Sequence, residues 1–209
     1  VIGGVPCAVI ITCLFYGAIS GSAPATVAAV GAMTIPVMVN LGYSKEFSTA
    51  VVTVAGGLGC IIPPSIPFVL YSTSAGTSVG DMFIAGIVPG LLLGGLLMIY
   101  AVYYSARRGE DRVRIKAVMG ELRGQGFLRL FLDSFWALLT PVIILGSIYG
   151  GIATPTEAAV ISVYYALFVS VFIYKTIKVS EIPAVFMESL KTIAPILFVL
   201  SAAVSFGRV

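Results

Sequence analysis

Two short stretches of this sequence carry residues that could do chemistry inside a chain that is otherwise apolar for dozens of residues at a time. The first, YGAISGSAPAT from Tyr16 to Thr26, offers the hydroxyls of Ser20, Ser22 and Thr26 beside Gly17 and Gly21. The second, GCIIPPSIPF from Gly59 to Phe68, places Pro63, Pro64 and Pro67 after the glycines Gly56, Gly57 and Gly59. Proline has no N–H to bond the carbonyl four residues earlier, and its ring crowds that carbonyl. In a helix these three prolines would release the carbonyls of Gly59, Cys60 and Pro63. An unsatisfied carbonyl is costly in hydrocarbon, so irregular backbone survives at membrane depth only where protein, water or an ion supplies partners. A single proline would read as a kink satisfied by neighbouring helices; three prolines behind a glycine cluster favour a built site. Hydroxyls and carbonyls are the oxygen ligands of a hard cation. A broken helix facing a hairpin tip is also how secondary transporters assemble ion and substrate sites at the bilayer midplane.

The choice of ion follows from the residues that are missing. The chain has no histidine, and no acidic residue lies between Glu46 and Asp81. The broken region has no proton carrier of its own, which favours sodium over protons. Glu157 follows Thr154 and Pro155 in the order N-cap, N1 and N3, so a helix-capping box accounts for it. Asp133 lies four residues after Arg129, and an interfacial ion pair accounts for that carboxylate. Cys7, Cys13 and Cys60 sit in apolar segments without CxxC spacing and read as small buried residues, not as disulfides or zinc ligands.

The elements that must position these groups are membrane segments. Hydrophobic residues make up 59% of the chain and charged residues 10%, against about 45–50% and about 25% in soluble domains. At about 20 residues per crossing, six to eight membrane segments fit. The formal charge of +3 is too small and too localised to indicate nucleic acid. Residues 1–39 read as two short apolar arms joined at the Ser/Gly tip, either a re-entrant hairpin or two crossings. Residues 47–62 and 66–75 form one discontinuous span. Residues 82–105 are a continuous span with Gly86, Gly90 and Gly94 at the four-residue spacing that lets helix backbones approach, read here as helix packing. Residues 107–126 are the one strongly charged segment, and Val113, Ile115, Val118, Met119 and Leu122 recur in it at roughly helical spacing, which predicts an amphipathic helix on the membrane surface. Further spans at 130–149 and 156–174 flank a turn at Gly150 and Gly151, and a last one covers 189–207. Arginine and lysine collect on the surface helix, which places it in the cytoplasm by the positive-inside rule. Neither end resembles a natural terminus or a signal peptide, so an internal fragment is expected.

The run SGSAPATVAAVGAMTIPVMVNLGY, followed by AGGLGCIIPPSIPFVLYSTSAGTSVGDMFIAGIVPG and later by GIATPTEAA, resembles the large membrane subunit of tripartite ATP-independent periplasmic (TRAP) transporters over essentially the whole chain. The resemblance implies an all-α integral membrane protein of elevator type. Its transport domain is built on re-entrant hairpins and discontinuous helices related by an inverted repeat, and it slides against a fixed scaffold. It divides the chain into part of the transport domain (1–80, with the hairpin at 1–39 and the broken helix at 47–75), a membrane helix (81–106), a cytoplasmic connecting helix (107–126) and scaffold or second-repeat helices (127–209). It implies sodium-driven import of an organic acid, a C4-dicarboxylate or sialic acid among the options, across a bacterial inner membrane. The implied partners are a periplasmic substrate-binding protein and a small (Q-type) membrane subunit, with sodium as the coupling ion. Carried over residue by residue, the tip from Ser20 to Ser22 and the backbone at Gly59, Ile62 and Pro64 match the family's first sodium site. Gly17 joins them at a position where a hydroxyl residue would also fit. Ser22, Thr26 and Ser65 are the implied substrate contacts. The second hairpin and second sodium site are expected beyond Val209.

Three rival functions remain on sequence grounds. A serine enzyme would need a base beside its nucleophile, and the chain offers no histidine. A channel would line its filter with similar carbonyls and hydroxyls, but no acidic ring or filter sequence is visible. A purely structural membrane subunit is the third. The absence of a GxxxxGK[ST] phosphate loop agrees with transport that is not driven by ATP.

Overall fold

A computed structural model of the chain describes residues 2–108, Ile115 and 127–206, and every regular element among them is helical. In chain order these are α1 (Gly4–Ser20), α2 (Ala23–Asn40), α3 (Lys45–Gly57), a 3-10 turn (Leu58–Cys60), α4 (Ile66–Ala75), α5 (Val79–Arg108), α6 (Phe127–Tyr149), α7 (Pro155–Phe168) with a π-helical end (Val169–Ile173), a 3-10 turn (Val179–Glu181) and α8 (Ile182–Phe206). The surface helix expected at 107–126 lies outside the described residues from Gly109 onward, except at Ile115. That residue is helical and packs against the core.

The helix boundaries have local causes. Gly21, at φ +60°, ends α1 and donates its N–H to the Gly17 carbonyl, a left-handed conformation that costs glycine little. Extended Ser22 then starts α2 with proline in its first turn. The hydroxyl of Ser44 accepts the Phe47 N–H at the start of α3, and that of Ser65 accepts the Phe68 N–H at the start of α4. Gly76 and Gly151, at φ +68° and +67°, close α4 and the turn after α6. The capping box before α7 is formed in both directions, between Thr154 and Glu157. The last span differs from expectation. It starts at Ile182 instead of residue 189, because the Lys178 N–H bonds the Glu181 carboxylate at 2.9 Å and opens a helix that then runs through Glu188 and Lys191.

Among the described residues four helical stretches are long and apolar enough to cross a membrane: Ala23–Asn40, Val79–Arg108, Pro155–Ile173 and Val179–Val199. The remaining expected segments are the shorter apolar helices Gly4–Ser20 and Ser134–Tyr149 and the two halves of the broken helix. One core joins α1, α2, α3 and α5 through Ile10, Cys13, Met38, Val52, Ala55 and Ala101, each fully buried. Outside it, large apolar side chains such as Met33 and Val88 stand more than 70% exposed, as expected of faces that meet lipid.

The glycine stripe of α5 does more than pack one straight helix on another. The bare side of Gly86 meets the Phe68 ring, and a Cβ there would stand 2.5 Å from the Ile61 carbonyl oxygen. On Gly90 a Cβ would meet Ile62 Cγ1 at 2.8 Å, and on Gly94 it would meet Leu14 Cδ1 at 3.1 Å. The stripe is therefore the bed on which the break after α3, and the hairpin beside it, are seated.

Candidate functional site

The break and the hairpin tip meet. After the 3-10 turn, the N–H groups of Ile61 and Ile62 both donate to the Leu58 carbonyl, at 2.9 and 3.1 Å. Residues 61–65 leave the helix, and the Pro63–Pro64 peptide is cis. The Ser65 hydroxyl, 1% exposed, donates to the Cys60 carbonyl at 2.5 Å. Of the three carbonyls expected to be released by the prolines, that of Cys60 is therefore already answered from within the break. Ser65 spans the interruption, capping α4 with its oxygen and holding the end of the 3-10 turn with its proton.

At the tip, the fully buried Thr26 hydroxyl donates to the Ser22 carbonyl at 2.8 Å and lies 3.0 Å from the Ser20 hydroxyl. The Ser20 hydroxyl also reaches the Ser22 carbonyl as a donor, at 3.3 Å. The Ser20 oxygen also accepts the Ser22 N–H at 3.3 Å. The three residues close a small knot of oxygens over the start of α2.

Three contacts dock this knot on the break, all through backbone or a very small side chain. Gly17 and Gly59 touch backbone to backbone, so that a Cβ on Gly17 would run into the Gly59 Cα, and the hydroxyl residue expected to fit at this position has no room. A Cβ on Gly59 would stand 2.9 Å from the Gly17 Cα and 3.0 Å from the Thr26 hydroxyl. The Ile66 N–H donates to the Gly21 carbonyl at 3.2 Å, and a Cβ on Gly21 would lie 2.9 Å from the Pro64 carbonyl oxygen. The Ala23 N–H at the start of α2 donates to the Cys60 sulfur at 3.2 Å. Between tip and break lies a cleft of about 240 Å³ whose polar edge is formed by Ser20, Gly21, Pro64 and Ser65, with Ile66 and Val69 beside them. None of these residues is charged.

The structure thus gathers most of the residues nominated from sequence. Gly17, Gly59 and Thr26 pack together, Ser20, Pro64 and Ser65 line the cleft, and Ser22 contributes its carbonyl to the knot. Ile62 was nominated for its backbone, and its side chain packs away from the tip against Gly90. Sequence reasoning missed the role of the Cys60 sulfur. Cys60 had the reading of a small filler, yet its sulfur caps the first turn of α2. Gly21 lies within the tip from Ser20 to Ser22 matched to the sodium site, and its carbonyl ties that tip to α4. Cys60 stands three residues before the first proline, which was the one signal available.

Residues 1–209 match the family model described as the DctM component of the tripartite ATP-independent periplasmic transporter. The chain belongs to this DctM family. It is 45% identical, over 99% of its length, to the isethionate TRAP transporter permease protein DctMQ of Oleidesulfovibrio alaskensis, of which it covers 32%. It is 44% identical, also over 99% of its length, to the C4-dicarboxylate TRAP transporter large permease protein of Pseudomonas aeruginosa, of which it covers 47%. It is 41% identical, over 96% of its length, to the ectoine TRAP transporter large permease protein TeaC of Halomonas elongata, of which it covers 45%. The chain thus spans about half the length or less of the curated relatives it matches. DctM proteins are transporter permease components and not enzymes, which removes the serine-nucleophile rival. The multi-pass membrane character read from composition agrees with the family and with the four apolar helices.

Proposed function

We propose that this DctM chain supplies one half of the translocation site of a sodium-coupled importer of a small organic acid. The observation that carries the proposal is the docking of the Ser20–Ser22–Thr26 oxygen knot onto the proline break through Gly17, Gly21 and Gly59, with an uncharged, oxygen-edged cleft between them. Hydroxyl and carbonyl oxygens without a titratable group suit a hard monovalent cation that coordinates without exchanging a proton. Sodium is therefore the coupling ion of this reading. Ser20 and the backbone at Gly17, Ser22, Gly59, Ile62 and Pro64 are its ligand set, while Ser22, Thr26 and Ser65 stand toward the substrate. Thr26 and Ser65 are buried, so in this reading they shape the cleft through the atoms they hold.

The relatives are named for isethionate, C4-dicarboxylates and ectoine, all small charged organic molecules, and a substrate of that class is proposed here. A periplasmic binding protein would deliver it, and a small membrane subunit would brace the scaffold. The fused DctMQ name of one relative supports the second partner. Movement would follow the elevator scheme, with the hairpin and broken helix travelling as one body and α6 to α8 belonging to the frame. The driving force is adequate. One sodium ion moving inward across about 100 mV contributes about 2.3 kcal/mol, and a tenfold gradient adds about 1.4 kcal/mol.

The test is uptake into proteoliposomes holding the full-length permease, its small subunit and its binding protein, under an imposed sodium gradient. Saturable uptake that requires sodium is expected, with Ser20→Ala and Pro64→Ala each raising the sodium concentration for half-maximal rate about tenfold while the protein still inserts. Normal sodium activation in both variants would defeat the assignment, and large ion currents without substrate would favour a channel.

A further inference from the structure

A cavity of about 440 Å³ that the site does not use lies between the start of α3 and the end of α5. Its polarity changes along its length. Ser44, Glu46 and Arg108 stand at one end, the rings of Phe47, Tyr100 and Tyr104 at the middle, and Val54 and Leu97 at the other end. At about 1.5 Å per helical residue, the drop from Glu46 to Val54 along α3 is about 12 Å, and that from Arg108 to Leu97 along α5 is about 16 Å. The polar end is held in place. Phe47 and Tyr104 stack face to face with centroids 3.8 Å apart, the Ser44 and Tyr104 hydroxyls are 3.5 Å apart, and the Arg108 guanidinium lies over the Tyr104 ring at 5.4 Å.

Tyr100, Tyr103 and Tyr104 followed by Arg107 and Arg108 are the tyrosine and basic residues that mark a membrane–water boundary, and Val54 and Tyr100 open the groove outward at more than 50% exposure each. We propose that this groove is a binding site for a phospholipid with an ammonium headgroup, of the phosphatidylethanolamine class. The order of its groups matches the polar-to-apolar order of that molecule. The Arg108 fork takes the phosphate, the geometry arginine recognises best. The Glu46 carboxylate takes the ammonium, and one acyl chain descends past Tyr100 onto Val54 and Leu97. A water-soluble anion would use the Arg108 end and leave the apolar wall unused. An anionic phospholipid such as phosphatidylglycerol would bring no cation to Glu46, so the carboxylate is the group that selects the headgroup.

The test is native mass spectrometry of the full-length permease in detergent with its small subunit, titrated with palmitoyl-oleoyl phosphatidylethanolamine or palmitoyl-oleoyl phosphatidylglycerol. The wild type is expected to retain the ethanolamine lipid about tenfold more tightly. Arg108→Gln weakens both lipids, while Arg108→Lys keeps them within a few-fold. Glu46→Gln abolishes the preference and leaves phosphatidylglycerol binding where it was. Arg107→Gln, with its guanidinium over Tyr103 and outside the groove, changes neither. Equal retention of the two lipids by the wild type, or a preference that survives Glu46→Gln, would overturn the proposal.

Discussion

The two ends of the described chain are built differently. From α1 to α5 the helices close on a shared core, and at the site they touch through glycine backbone: Gly17 on Gly59, Gly21 beside Pro64, and Gly86 and Gly90 under Ile61, Ile62 and Phe68. From α6 to α8 little is buried. Only Ala158 and Val169 reach that state among the described side chains, while Tyr164, Phe172 and Phe198 stand more than 60% exposed. Backbone-on-backbone contact leaves no side chain to rearrange, so the hairpin and broken helix hold a fixed mutual geometry. The difference separates a body that keeps an oxygen-lined cleft in register from helices that leave most of their apolar surface uncovered.

The sharpest way to break that distinction is to add one methyl group where the backbones touch. Gly17→Ala must push the hairpin off Gly59, and overpacking of this kind costs about 1–3 kcal/mol. Because the strain falls on the cleft itself, sodium-driven uptake by the full-length transporter should drop at least about a hundredfold. Uptake within a few-fold of wild type would show that the contact is not needed. Gly90→Leu should act next most strongly, since its side chain would enter the space of Ile62 and unseat the break from α5; about a tenfold weaker sodium dependence, read by the same uptake assay, is expected.

A smaller effect is expected at Cys60. Cys60→Ala removes the acceptor for the Ala23 N–H and should weaken apparent sodium affinity a few-fold. Cys60→Ser supplies an oxygen acceptor and should recover most of it; failure of serine to improve on alanine would assign Cys60 to packing alone. The least effect on transport should come from the second region. Thr154→Ala removes the N-cap of α7 at a cost of about 1 kcal/mol, detectable as a lower melting temperature, with the sodium dependence of uptake unchanged.

How much of this was legible in the sequence differs between the same two regions. The tip and the break were visible because glycine, proline and serine have local consequences, and the capping box at Thr154 follows from residue type and spacing alone; the caps at Ser44 and Ser65 and the αL turn at Gly21 use the same residue types but were not read in advance. Which atoms then meet is a matter of tertiary contact. Nothing local indicates that the Cys60 carbonyl is taken by Ser65, that its sulfur faces Ala23, or that the α5 glycines bed the break instead of a straight helix. The start of α8 was placed seven residues late because an apolar run was sought, whereas the Lys178–Glu181 turn and the charged Glu188 and Lys191 belong to the same helical unit. The family resemblance, carried by the three quoted motifs, reached further than periodicity could.

On the function proposed above, the docked tip and break form one sodium-binding unit. The most direct measurement is the melting temperature of the purified full-length permease in sodium chloride against the same concentration of potassium chloride, for wild type and Gly17→Ala. A ligand that binds the folded state raises its stability, so the account predicts a sodium-specific rise for the wild type and none for Gly17→Ala. An equal sodium-specific rise in both proteins would contradict it.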